Sequence, residues 1–180
     1  METKKLPKEI YQILVWKMKE YKYMQEEIID IETEAFKTIK DINSGIKSKY
    51  KKNDSIINAI SDLSDNKRYQ ELKSWQKVIS KLLEMYINEP AKLKFIQRRY
   101  INCELVHFKY KGTLKDADVI KDLETDGYIY SNITWKRWKS EIMFNLYGLV
   151  KNEKNLINFI KWYFFYKKMW YYDIVNNYKK

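Results

Sequence analysis

From Leu6 onward, apolar side chains recur at Ile10, Leu14, Met18, Tyr21, Met24, Ile28, Ile31, Ala35, Ile39 and Ile42, with charged residues on the other faces. The nine steps from Ile10 to Ile42 cover 32 residues, a mean of about 3.56, between the straight-helix and supercoil periods. The pattern predicts one helix of roughly 50 Å, too long for a small core to bury. Its stripe must be covered either by the rest of the chain folding back or by a second copy. Asn43-Ser44-Gly45 is expected to end it, with Gly45 as a left-handed cap.

A lysine-rich stretch follows (Lys47, Lys49, Lys51, Lys52), read as a solvated loop or as a set of phosphate contacts. Asn53-Asp54-Ser55 is expected to open a second helical region carrying Ile56, Ile57, Ile60 and Leu63. After a break at Asp65-Asn66 it continues through Leu72, Trp75, Ile79, Leu82 and Tyr86. Asn88-Glu89-Pro90 ends it, because proline disfavours helical geometry in the residue before it, and Pro90 suits the first turn of the next helix. There Leu93, Phe95, Ile96 and Tyr100 share one side, with Lys92, Lys94, Arg98 and Arg99 elsewhere. The stretch from Asn102 to Gly112 reads equally as loop or short hairpin.

Thr113 followed by Asp116 resembles a capping box, and Ala117, Ile120 and Leu123 give the ensuing helix an inward face. Asp126-Gly127 is a turn signal, and Ser131 is a good N-cap for a further helix. Its stripe is Trp135, Trp138, Ile142, Leu146 and Leu149. If these face the core, the opposite side presents Asn132, Ile133, Lys136, Arg137 and Ser140, with Lys139 flanking. Two helices, the second basic near its start, match a helix-turn-helix, whose recognition helix inserts its N-terminal residues into the major groove. Arg137 suits a guanine edge and Asn132 an adenine, while lysines neutralise phosphates.

With 4 Gly and 2 Pro in 180 residues, a turn-rich sandwich or barrel is excluded. The expected fold class is all-α: a helical hairpin for oligomerisation (1–88), a helix-turn-helix DNA-binding domain (89–150) and a C-terminal aromatic helix (151–180). The last segment holds ten aromatics in residues 152–180. Packing on its own domain, a subunit or polymerase contact, and a lipid interface are all open readings of it. Lysines break the most apolar run, Leu156 to Val175, so no span is expected.

Charge sharpens the picture. Of a net charge of +11, residues Ser131 to Lys180 carry 10 basic and 3 acidic groups, a net +7. Met1 to Ser44 carries 8 basic and 9 acidic groups, a net −1. A cationic C-terminal part joined to a balanced N-terminal part fits a DNA-reading end attached to an assembly end. Only four arginines occur (Arg68, Arg98, Arg99, Arg137). Where lysine dominates, arginine marks a need for fork geometry. One cysteine (Cys103) and one histidine (His107) supply no disulfide, zinc pair or triad. No cofactor motif is present, and no enzymatic activity is expected.

Four features run in order: the long N-terminal helix, the segment Tyr69-Gln-Glu-Leu-Lys-Ser-Trp-Gln-Lys-Val-Ile-Ser-Lys-Leu-Leu83, the segment Ile96-Gln-Arg-Arg-Tyr100, and Ser131-Asn-Ile-Thr-Trp-Lys-Arg-Trp138. Together, over roughly Leu6 to Val150, they resemble the phage late transcription regulators of the RinA/ArpU type. The terminal domain of that family is similar to the part of bacterial sigma factors that reads the −35 promoter element. The resemblance implies a sequence-specific activator of packaging and morphogenesis genes of a phage or mobile island. The expected partners are double-stranded DNA and RNA polymerase, with a homo-oligomer joined through the N-terminal hairpin, the bacterial host cytoplasm as location and no membrane. Asn132, Lys136, Arg137 and Lys139 fall on its recognition-helix positions; Ile133, Ser140, Arg98 and Arg99 complete the candidate DNA-binding set. A small terminase subunit acting as a DNA-packaging adaptor, and a helical protein-interaction module that binds no nucleic acid, are the competing readings.

Overall fold

The computed structural model of the chain describes residues 6–43, 49–102, 116–161 and 163, and the side chains among them outside 38–43 and 49–55. The expected Gly45 cap, the Lys47 loop, Cys103, His107, the Thr113 capping box and the aromatic run from Phe164 onward lie outside the described residues. The chain is all-α. Its elements are α1 (Lys8–Lys19), α2 (Tyr21–Asn43), α3 (Lys49–Asp65), α4 (Lys67–Met85), α5 (Pro90–Ile96), a π-helical turn (Gln97–Ile101), α6 (Asp116–Thr125) and α7 (Asn132–Lys151). Residues 154–161 are also helical.

The predicted N-terminal helix is divided at Glu20, a single turn residue that keeps right-handed helical backbone angles (φ −76°, ψ −8°) and whose N–H still reaches the Trp16 carbonyl. The division lets one stripe serve two sets of partners. α1 packs on α7 and the π turn, and α2 packs on α3 and α4. Ile10, Leu14, Met18, Tyr21, Met24 and Ile28 are all buried in this way. The stripe is thus covered within the chain as far as Ile28.

Asn66 caps α4, its side chain accepting the Tyr69 N–H at 3.0 Å, and Pro90 opens α5. Helix α3 begins at Lys49, earlier than the Asn53-Asp54-Ser55 start expected from capping preference. Lys and Tyr propagate a helix adequately, so a later cap-type residue does not have to begin one. In α6 the inward residues are Val119 and Leu123, whereas Ala117 is exposed. Six residues place Ala117 about 120° around the helix from Leu123.

One buried cluster runs from Ile10 through Trp75, Leu82, Phe95, Leu123, Ile142 and Val150 to Leu156 and Ile160. It crosses both positions, near 88 and 150, where domain boundaries were expected. The start of the aromatic segment packs onto this core: Leu156 and Ile160 are buried, and Phe159 meets Trp75 edge-on with centroids 6.4 Å apart.

Lys17, only 1% exposed, sits inside this core. Its Nζ lies 2.9 Å from Glu71 Oε1, 3.4 Å from Glu20 Oε2 and 4.9 Å from the Phe159 ring centroid. A buried ammonium is tolerable only with such partners. Burial pushes the Glu20 carboxyl above its ordinary value, outweighing the Lys17 charge and hydrogen bond that pull it down. Next to it, Arg68 forks onto Glu27 with two contacts of 2.8 Å, tying α4 to α2. No helix among the described residues is long and apolar enough to cross a membrane.

Candidate nucleic-acid interface

The candidate face is built by the turn that leads into α7. Helix α6 ends in a Schellman arrangement. The Tyr128 N–H reaches the Leu123 carbonyl (3.0 Å), the Gly127 N–H reaches the Glu124 carbonyl (3.0 Å), and Gly127 takes φ +86°. Ser131 then caps α7, its Oγ accepting the Thr134 N–H at 3.3 Å. Tyr130 precedes the cap and meets Trp135 edge-on at 5.4 Å, a hydrophobic staple across the helix start. The indole N–H of Trp135 donates to the Tyr130 carbonyl at 3.1 Å.

These contacts fix how α7 is rotated. Trp135 is 2% exposed and stacks on Phe95 at 5.6 Å, while Trp138 meets Trp135, Tyr130 and Phe95. Ile142 and Leu146 continue the buried stripe. It then passes to Val150 at a spacing of four, leaving the expected Leu149 half-buried; Met143 is buried beside it. Asn132, Ile133, Lys136, Arg137 and Ser140 are consequently exposed. The Ser140 hydroxyl donates back to the Lys136 carbonyl at 3.3 Å.

The remaining candidate cations are engaged with carboxylates. Arg98 places Nη1 2.9 Å from Asp122 and Nη2 2.7 Å from Asp126, which also takes Lys94 at 3.1 Å. Asp116 is shared by Arg99 (2.8 Å) and Lys139. Burial raises the Asp116 carboxyl, but the Lys139 hydrogen bond and charge, with the Arg99 charge, outweigh it and hold the group below its ordinary value. Asp126 is likewise held low, first by its hydrogen bond from Lys94 and then by Arg98. Arg98, Arg99 and Lys139 therefore serve to fasten α6 to the π turn and α7. No ion pair involves Lys136 or Arg137 among the described residues.

Helix α6 packs mainly on α5 and the π turn, and α7 mainly on α4 and α1. Residues 126–131 separate α6 from α7, a longer connection than the three or four residues of a tight helix-turn-helix. Two exposed residues beside the face were not anticipated: Ile129 (78% exposed) and Tyr130. The run Tyr128-Ile129-Tyr130 directly before an N-cap serine was the available signal, since the residue before a cap so often staples the first turn. Among the described residues no group of three or more His, Cys, Asp or Glu side chains could hold a metal ion. No family model, curated protein or solved structure matches the chain.

Proposed function

We propose that this protein is a sequence-specific double-stranded DNA-binding transcriptional activator whose α7 N-terminus enters the major groove. The observation that carries the reading is the rotation of α7. Burial of Trp135 and Trp138 turns Asn132, Lys136, Arg137 and Ser140 outward together. Of the four arginines, Arg68, Arg98 and Arg99 have carboxylate partners, whereas Arg137 has no ion pair among the described residues, which leaves its fork for a guanine edge. Carboxylates on and just after α6 would repel a duplex, and the pairing of Asp116, Asp122 and Asp126 with four cations offsets their share of that repulsion.

In the setting the RinA/ArpU resemblance implies, the protein assists RNA polymerase at late promoters of a phage or mobile island in the bacterial cytoplasm, and has no catalysis of its own. Self-association through the N-terminal hairpin belongs to the same proposal. Ile29 and Phe36, seven residues apart on α2, and Ile57 and Ile60, three apart on α3, are exposed and offer each helix an apolar side for a second copy. Light scattering is expected to give a dimer or tetramer; a ring of eight or more subunits would favour a packaging adaptor. The function itself is tested by selection of bound duplexes from a random pool. Enrichment of one short sequence supports it. Weak binding without any preference would favour a protein-interaction module instead.

A further inference from the structure

We propose that Ile133 reads a thymine 5-methyl group in the major groove, about one base pair from the base held by Arg137. This rests on the DNA-binding reading above and adds a specificity determinant to it. Ile133 is 78% exposed, although it lies within the first turn of a capped helix whose other apolar residues are largely covered. Lys136 and Arg137 follow at three and four residues, so all three share one helix face. Ile129, also 78% exposed, extends the apolar ground just before the helix.

An exposed isoleucine beside Lys136 and Arg137 suits an occupant that is apolar at one point and anionic around it. A protein partner would need roughly 800 Å² from each side, and two isoleucines with one tyrosine edge fall far short of that. The major groove offers the required combination, because thymine is the base that displays a methyl group there, flanked by two rows of phosphate. The register follows from helix geometry. A groove-reading helix presents residues three to four apart to successive bases. The branched side chain of Ile133 has no polar atom with which to read any other base edge.

The test uses the full chain and the duplex it selects from a random pool. Each thymine near the selected guanine is replaced in turn by uracil, which deletes only the 5-methyl group. The parent is expected to bind about fourfold more weakly at one such position, the equivalent of one lost methyl contact. Ile133→Ala is expected to bind thymine and uracil duplexes equally, both near the level of the parent on uracil. Its thermal unfolding should match that of the parent, because the side chain is exposed. The proposal is overturned if the parent tolerates uracil at every position, or if Ile133→Ala keeps the full sensitivity; DNA binding as such survives either result. A pool that yields no preferred sequence removes the DNA-binding reading and this inference together.

Discussion

Arg99 Nε lies 2.8 Å from Asp116 Oδ1, and the other oxygen of that carboxylate takes Lys139. A single aspartate at the first residue of α6 thus joins the π turn to α7 and withdraws two cations from a positive surface. The lowered Asp116 pKa gives this a pH signature. A group whose folded-state value lies below its unfolded value of about 3.9 contributes its stability above that pH and loses it as the pH falls through the folded value. The difference in urea midpoint between the parent and Asp116→Asn should therefore be constant near neutrality and shrink below about pH 4. A difference that stays level down to pH 2 would contradict the clamp.

Lys17 and Glu71 form the other decisive pair, 2.9 Å apart in the core. Glu71→Ala leaves the buried ammonium with Glu20 alone and should cost about 3 kcal/mol, at the lower end for breaking a buried ion pair. Urea unfolding measures this. A loss below about 1 kcal/mol would mean that Glu20 satisfies Lys17 unaided.

Two glycines should respond in opposite directions. Gly127 holds φ +86° with open space around its Cβ position, so Gly127→Ala should lose about 1 kcal/mol through backbone strain alone. Gly148 lies within α7, also with open space, and Gly148→Ala should gain up to about 1 kcal/mol. Equal shifts of one sign would contradict the backbone assignment at the α6–α7 turn.

The staple and cap that orient α7 are also separable. Ser131→Ala should cost about 1 kcal/mol by removing the acceptor for the Thr134 N–H. Trp135→Ala should cost about 3–5 kcal/mol through the cavity left against Phe95 and Trp138. Calorimetric unfolding of both variants checks the order of the two losses.

Much of this architecture was legible because it is local. The apolar spacing from Ile10 to Ile28, the Asn66 and Ser131 caps, Pro90 at a helix start and Gly127 after a helix end each depend on a few neighbouring residues. The change of partners at Glu20 was not legible, since an unbroken stripe looks the same whether it faces one neighbour or two. Arg98 and Arg99 entered the candidate DNA-binding set because the carboxylates that claim them, Asp116 and Asp122 on α6 and Asp126 just past its end, lie elsewhere along the chain. Charge counted along a chain cannot show which charges cancel across it. For the same reason Lys136 and Arg137, which form no ion pair among the described residues, emerge only once the others are accounted for.

The most direct measurement is binding of the selected duplex across a salt series by the parent, Lys136→Ala and Arg137→Ala. Lys136→Ala should weaken every sequence alike and lower the salt slope by about one unit. Arg137→Ala should cost about 1–3 kcal/mol on the preferred duplex and relax the choice of base at one position. Parent-like affinity, slope and base preference in both variants would contradict the placement of α7 in the groove.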